Sequence, residues 1–266
     1  MDLKLAGKAA LVAGGSKGIG KSIAMALAKE GVDTAICARS EADLKRASDE
    51  ISSASGRACH PIAGDLSTAE GCGRFVQRAV ECLGRADILV CSANYLSDKG
   101  GTFTSISDEG WVSHMQLKFF SAVRCAREVV PHMQRRRWGR VLIISGMATR
   151  LVRLRAMDNG PICAALTNFG KQLAAQVAGD GIRVNTIHPD FTRTELLMAF
   201  FNREAQARGV PVEDVVKEMS AKMPIGRLIE PEEIAAFAAY LCSPFADAIT
   251  GQSIAVDGGA AMSVHY

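Results

Sequence analysis

The chain has 266 residues, of which 48% are apolar and 22% are charged, so it can bury a sizeable core and is not a disordered protein. Its net charge of +3 and its pI near 8.4 give too small a basic excess to favour nucleic acid as a partner. No run of about 18 uncharged apolar residues occurs, so no membrane span is expected.

Short apolar runs alternate with longer helical patterns along the chain. Seven strands are predicted, at residues 8–14, 33–38, 57–63, 86–91, 140–145, 182–187 and 253–256. Helices are predicted at residues 18–30, 41–55, 67–83, 108–136, 161–178, 195–221 and 231–242, the fourth broken or bent near Pro131 and the sixth split at 209–211. Strands that are almost entirely apolar are typical of a parallel sheet covered on both faces. The pattern predicts one doubly wound α/β domain of the Rossmann type over residues 1–266.

The strongest local signal is Ala13-Gly14-Gly15-Ser16-Lys17-Gly18-Ile19-Gly20, between the first strand and the first helix. Glycines there allow a tight turn and a close approach of the backbone to a pyrophosphate. The helix N-terminus supplies unpaired N–H groups and the positive end of a dipole. This context predicts a dinucleotide site whose loop residues are Gly14, Ser16, Lys17, Gly18, Ile19 and Gly20. The alternative is a glycine-rich turn that serves packing alone.

Basic residues near this loop favour NADP(H) over NAD(H). The second strand is followed by Arg39-Ser40, where an acidic residue would bind the ribose hydroxyls of NAD. The Arg39 guanidinium can instead bind a 2′-phosphate, with Lys17 as a second positive charge. The alternative is two solvated surface cations. Asp65-Leu66, after the third strand, is placed to bind the adenine, unless Asp65 only caps the following helix.

The chain resembles the short-chain dehydrogenase/reductase family over nearly its whole length. The pattern Gly14-x-x-x-Gly18-Ile19-Gly20 is similar to the family's glycine motif. Further matches are Asp65, Asp87-Ile88-Leu89-Val90, Gly139-Arg140, Gly181-Ile182-Arg183-Val184-Asn185, Ile249-Thr250-Gly251-Gln252 and Val256-Asp257-Gly258-Gly259. The resemblance implies a seven-stranded parallel sheet and a dimer or homotetramer that packs through the helices at 108–136 and 161–178.

The resemblance also implies further cofactor contacts. Pro189-Asp190-Phe191-Thr192-Arg193-Thr194 is similar to the family's PG-x-x-x-T region, so Pro189, Thr192 and Thr194 are expected at the cofactor, with Asp190 in place of glycine. Cys91-Ser92-Ala93-Asn94 stands where the family has NNAG, which implies that Ala93 lies at the cofactor as well.

The family's catalytic Asn, Ser, Tyr and Lys are all replaced. Aligned without gaps on residues 164–166 and 183–185, the tyrosine position falls on Asn159 and the lysine position on Cys163. The serine position falls on Gly146, beside Ser145, and the asparagine position falls on Lys118. In the family the tyrosine exchanges a proton with the substrate oxygen, whereas an asparagine has no titratable proton. The usual mechanism is therefore expected to fail.

Lys118 is the leading replacement, because its ammonium can polarise an oxygen, bind a carboxylate or, if desolvated, act as a base. The alternative is a lysine that reaches solvent or pairs structurally. The other catalytic candidates are Tyr95 as a phenolic donor, Ser145 in the serine role and Asn159 as a residue that orients substrate. A packed loop aromatic is the favoured alternative for Tyr95, and a helix N-cap is the alternative for Asn159.

Two neighbouring residues are ambiguous. His114 precedes Lys118 by four and can share its helix face, although a solvent-facing or core histidine is favoured. Asp158 can orient substrate or simply cap the next helix.

The loop at residues 147–159 carries Arg150, Arg153 and Arg155. If these line the cleft, they favour an anionic small-molecule substrate; a solvated or subunit-facing loop is the favoured alternative.

Eight cysteines occur, none in CxxC spacing: Cys37, Cys59, Cys72, Cys82, Cys91, Cys125, Cys163 and Cys242. The chain start also lacks the pattern of a signal peptide. We expect free thiols in the cytoplasm, with neither disulfides nor a metal site.

We expect an NADP(H)-dependent oxidoreductase that acts on a carbonyl or alcohol by a non-standard mechanism. One alternative is a non-redox enzyme, such as a lyase, dehydratase or cyclase, that reuses the nucleotide pocket. The other is a catalytically silent subunit that binds nucleotide and assembles with an active homologue. The same fold can support all three functions.

Overall fold

The computed structural model describes residues 1–94, 102–154 and 156–262. A seven-stranded parallel sheet has the order β3-β2-β1-β4-β5-β6-β7. The strands are Ala9–Ala13 (β1), Asp33–Ala38 (β2), Cys59–Ala63 (β3), Ile88–Cys91 (β4), Gly139–Ile144 (β5), Ile182–Pro189 (β6) and Ser253–Val256 (β7). The predicted Rossmann-type α/β fold is confirmed.

The helices lie on both faces of this sheet. They are Gly18–Lys29 (α1), Glu41–Ser55 (α2), Ala69–Leu83 (α3), Asp108–His114 (α4), Ser121–Arg136 (α5), Asn159–Val177 (α6), Glu195–Arg208 (α7), Val212–Ala221 (α8) and Pro231–Cys242 (α9). The split predicted at residues 209–211 therefore occurs between α7 and α8.

Alternation along β1 builds the two halves of the core. Successive strand side chains point to opposite faces. Ala10 and Val12 accordingly join a cluster with α1, α2 and α9, while Leu11 and Ala13 join one with α3, α5 and α6. Both faces of the central strand are buried, as the apolar pattern predicts.

The long helix predicted at residues 108–136 is irregular, but not near Pro131, where a break was predicted. Pro131 lies inside α5, so the predicted break there does not occur. A proline leaves the carbonyl four residues earlier without its partner, but that residue, Arg127, is exposed and its carbonyl can bind water. The irregularity is instead a π-helical segment, Met115–Phe120, between α4 and α5.

The strand order creates the place where a ligand can bind. β1 pairs with β2 on one side and with β4 on the other, because the chain crosses over the sheet after β3. In doubly wound sheets ligands bind outside the carboxyl ends of the strands at this crossover.

All eight cysteines are free, and seven of them are buried, with Cys82 exposed. Across the described parts of the chain, none of the helices has the length and apolarity needed to cross a membrane.

Candidate functional site

A cleft of about 900 Å³ lies at the carboxyl ends of β1 and β4. Its lining includes many of the predicted cofactor residues: Gly14, Ser16, Lys17, Gly18, Ile19, Gly20, Arg39, Ser40, Leu66, Ala93 and Thr194. Asp65, Pro189 and Thr192 lie outside the lining that the described residues form.

Two glycines make the turn into this cleft. Gly14 has φ +84°, and a Cβ there would lie 2.7 Å from the backbone nitrogen of Ala93. A Cβ at Gly20 would lie 2.0 Å from the carbonyl oxygen of Gly14. Only hydrogen at both positions lets β1, α1 and the end of β4 approach this closely.

The first turn of α1 fits a pyrophosphate. Lys17 stands at its N-cap without a side-chain cap, and the turn contains no acidic residue. By contrast, hydroxyl side chains cap α2, α3, α4 and α7, those of Ser40, Thr68, Ser107 and Thr194. The amides of α1 are thus left for a ligand at the positive end of the helix dipole.

Charged side chains surround the end of the cleft beside β2. Arg39 is exposed, and it makes no ion pair within the described residues. Lys17 Nζ lies 2.7 Å from Asp43 Oδ2 and 3.8 Å from Glu195 Oε2. The second predicted cation is therefore already paired with carboxylates.

Asp65 does not cap the helix that follows it, which corrects one of the predicted alternatives. Thr68 caps α3, and Asp65 Oδ1 accepts a hydrogen bond of 2.9 Å from the Ser67 amide. That bond lowers the pKa of Asp65, and the nearby Arg39 charge acts in the same direction.

The hydroxyls of the predicted threonines are used within the protein. Thr192 donates to the Asp190 carbonyl at 2.9 Å, whereas Thr194 Oγ1 accepts from the Leu197 amide at 3.2 Å as the cap of α7.

Residues predicted at or beside the family's catalytic positions are joined by hydrogen bonds. Lys118 Nζ donates to Asn159 Oδ1 at 3.0 Å, and Cys163 Sγ donates to the same oxygen at 3.3 Å. Ser145 Oγ donates to the Cys163 carbonyl at 3.1 Å. Lys118 thus contacts Asn159, Ser145 reaches only the backbone of Cys163, and Tyr95 lies outside the described residues.

Lys118 is only 3% exposed, so it does not reach solvent. It sits within the π-helical segment, and such segments are frequent at functional sites. Its partner Asn159, predicted in the loop before α6, is instead the first residue of that helix.

A second buried pair stands beside the first. His114 Nδ1 lies 2.7 Å from Asp158 Oδ2, so α4 is joined to the residue before α6. Asp158 makes no side-chain cap, which corrects the simple capping role. Burial lowers the pKa of His114, although the bond to Asp158 acts the other way. His114 and Lys118, one turn apart, therefore contact two consecutive residues.

The loop arginines contact the protein itself. Arg153 binds both carboxylate oxygens of Asp190, at 2.6 and 2.8 Å, and lies over the Phe191 ring. Arg150 donates to the Ser253 carbonyl at 2.6 Å. The loop after β5 is thereby tied to β6 and β7. Arg155 lies outside the described residues.

The buried residue His188 contacts the start of the loop after β5. His188 Nε2 lies 2.7 Å from Ser253 Oγ, and Nδ1 lies 3.1 Å from the Gly146 carbonyl. Burial lowers the pKa of His188 to about 4, so the ring is neutral at neutral pH.

Comparison with known proteins identifies the family. Residues 13–261 match the family model described as Enoyl-(Acyl carrier protein) reductase. The uncharacterized oxidoreductase YvaG of Bacillus subtilis (strain 168) is 32% identical over 99% of this chain and 100% of its own length. The oxidoreductase UcpA of Salmonella typhimurium is 31% identical over 97% of this chain and 96% of its own. The chain belongs to the short-chain dehydrogenase/reductase family, and its predicted membership is confirmed.

Solved structures agree with this assignment. L-sorbose reductase from Gluconobacter frateurii, in complex with NADPH and L-sorbose, has a TM-score of 0.95 and 32% identity over 99% of this chain and 100% of its own. A single-residue variant of actinorhodin polyketide ketoreductase, solved with NADPH, has a TM-score of 0.91 and 29% identity over 96% of this chain and 98% of its own.

Sequence reasoning missed several residues that line the cleft. Asp43 and Glu195 are charged, and Leu117 and Ile144 are apolar. Asp43 follows Ser40 by three residues and so falls in the first turn of α2, which is the signal that would have placed it there. Leu117 and Ile144 directly precede the candidates Lys118 and Ser145.

Gly20→Ala is expected to destabilise the protein by roughly 2–4 kcal/mol, because the new methyl group would meet the Gly14 carbonyl, which is backbone and cannot rotate away. Urea denaturation measures the loss. Gly73→Ala, in α3, is the matched control, since its Cβ would meet nothing within 4 Å. Equal stability of the two variants would contradict this account of the turn.

His188→Gln is expected to make stability less sensitive to acid. The folded protein has a pKa of about 4 at His188, against 6.5 ordinarily, so the unfolded chain binds a proton in this window that the folded chain does not. Stability therefore falls as the pH decreases from about 6.5 to about 4, by roughly 2 kcal/mol from this residue between pH 7 and about pH 5. Urea denaturation of both proteins at these two pH values measures the difference. An unchanged pH slope in the variant would refute the assignment to His188.

Proposed function

We propose that the protein is an NADP(H)-dependent oxidoreductase that interconverts a small carbonyl compound and its alcohol, with Lys118 in place of the usual tyrosine. The observation that carries the proposal is the buried Lys118 ammonium, which is held by Asn159 and follows Leu117, a residue of the nucleotide cleft.

Two residues of the cleft lining directly precede catalytic candidates in the chain. Leu117 and Ile144 line the cleft, and Lys118 and Ser145 follow them in the chain. Lys118 and Ser145 themselves are buried behind this lining, where they bond to Asn159 and to the Cys163 carbonyl.

The cleft residues fit a nicotinamide dinucleotide, which supplies or accepts a hydride when it is bound. Hydride addition to a carbonyl carbon leaves negative charge on the oxygen, and that oxygen then needs a proton. The Lys118 ammonium offers both a positive charge and a proton that it can transfer. The Asn159 amide group can donate a hydrogen bond but cannot transfer a proton.

The partner of Lys118, Asn159, leaves the lysine charge available to a substrate. Asn159 is neutral, so the hydrogen bond orients the ammonium without cancelling its charge, as a carboxylate would. Arg153, by contrast, is neutralised by Asp190. Support from the loop for an anionic substrate is thereby weakened, and Lys118 is the cation that would meet the substrate oxygen.

Arg39, Lys17 and the solved relatives support NADP(H) as the cofactor. The sorbose reductase and the actinorhodin ketoreductase are NADPH complexes, and YwfH is described as an NADPH-dependent reductase. We further propose a cytoplasmic dimer or homotetramer that packs through α4, α5 and α6, in which the exposed apolar residues Val112 and Phe120 become covered.

Arg39→Ala is expected to weaken NADPH binding by about 10- to 100-fold, as the loss of a charge-assisted hydrogen bond would do, and NADH binding by less than about twofold. Quenching or enhancement of nicotinamide fluorescence gives both dissociation constants. Lys45→Ala is the control, because Lys45 is an exposed cation on α2 that pairs with Asp49. An equal loss of affinity for both nucleotides, or no loss of affinity for either, would argue against NADP(H) selectivity.

Lys118→Met is expected to lower kcat by about 100-fold or more while leaving NADPH affinity within about twofold, because it removes the charge but keeps much of the side-chain volume. NADPH oxidation with a panel of small ketones, including L-sorbose, measures turnover. Full activity in the variant would contradict the proposed catalytic role of Lys118.

The same experiment separates the two alternatives. Wild-type protein that binds NADPH but oxidises it with no ketone would favour a silent subunit. The double variant Asn159→Tyr/Cys163→Lys places the YxxxK pair at its family positions, and a gain of turnover there would show that only the chemistry is missing. Conversion of a substrate without any change in NADPH would favour a non-redox enzyme.

A further inference from the structure

The cationic end of the nucleotide cleft contains a fixed carboxylate. Asp43 lies in the first turn of α2 and lines the cleft with Lys17, Arg39 and Ser40. One of its oxygens lies 2.7 Å from Lys17 Nζ, and the other lies 2.6 Å from a guanidinium nitrogen of Arg46.

We propose that Asp43 limits the preference of this protein for NADPH over NADH, because it holds Lys17 in an ion pair that the 2′-phosphate must replace. The inference rests on the proposed NADP(H) function. In this proposal Asp43 opposes binding of the 2′-phosphate, whereas Lys17 and Arg39 attract it.

Asp43 is expected to weaken the binding of NADPH and not that of NADH. A 2′-phosphate bound between Lys17 and Arg39 would need the Lys17 ammonium as its own partner, so the ion pair of Lys17 with Asp43 would be lost on binding. NADH has hydroxyl groups at that ribose, so its binding leaves the pair of Lys17 and Asp43 in place. The carboxylate therefore raises the dissociation constant of one cofactor and not of the other.

Asp43 cannot easily move aside when Lys17 changes partner. Its side chain is 22% exposed and is also bound to Arg46, and its backbone amide is bonded to Ser40 Oγ at 3.2 Å. Glu195, the other carboxylate near Lys17, is 65% exposed and 3.8 Å away, so it can turn into solvent. The two acids near Lys17 are thus expected to differ in effect.

The test compares the dissociation constants of NADPH and NADH for the wild-type protein and Asp43→Asn at low ionic strength. The variant is expected to bind NADPH about three- to tenfold more tightly and NADH within about twofold of wild type, and the gain should shrink at high salt. Glu195→Gln should change NADPH binding by less than about twofold, and Asp49→Asn, which pairs with Lys45, should change neither. Asp43→Ser is measured as well, so that the result does not depend on one variant folding.

A double variant tests the route through Lys17. In a Lys17→Gln background, Asp43→Asn should improve NADPH binding by less than half of its gain in wild type, since no ion pair remains to be replaced. An equal gain in that background would overturn the exchange, as would unchanged or weaker NADPH binding in both Asp43 variants. If wild type binds NADPH more tightly than NADH, such a result overturns this inference alone. If wild type binds neither nucleotide, the proposed function fails with it.

Discussion

The end of β1 and the first turn of α1 touch backbone to backbone, at the Gly14 carbonyl and Gly20. This contact directs the α1 amides at the cleft and brings the end of β4 against the same turn, since a Cβ at Gly14 would meet Ala93. In the proposed function, the cations Lys17 and Arg39 select a nucleotide only because this turn would hold its phosphates beside them. A side chain at either glycine would move all these groups together.

Two pairs of buried or half-buried polar residues set the packing against the start of α6. His114 with Asp158 and Lys118 with Asn159 join one helical stretch to the start of α6, at consecutive positions on the α6 side. Buried polar groups are costly unless they are paired, so each pair favours one relative position of these two elements. The geometry of the proposed active site is thus part of the packing between helices. A change in the His114–Asp158 pair would therefore alter the position of Lys118, although neither member of the pair needs to contact substrate.

The sequence was sufficient for the fold because its signals are local and repeated. Apolar runs, glycine turns and helix ends placed each of the seven strands and the glycine loop, and no strand end was wrong by more than two residues. Partnerships between distant residues could not be predicted in this way. The Arg153–Asp190 pair, the His188–Ser253 contact and the pairing of Lys17 with Asp43 depend on which loops, strands and helices become neighbours in the fold. The π-helical segment was also missed, because nothing in its composition distinguishes it from the helices around it.

That segment makes chain length, as well as residue type, a determinant of the site. A π turn accommodates one more residue than an α turn, and one residue of an α-helix corresponds to a rotation of about 100°. Removing a single residue at 119 or 120 would let α4 and α5 join as a regular helix, and Lys118 would then turn away from Asn159 although both residues remained. Family members whose alignments differ here by a one-residue gap would carry the same side chains on a different face of the helix. Their proton chemistry cannot be transferred by comparing residue types alone.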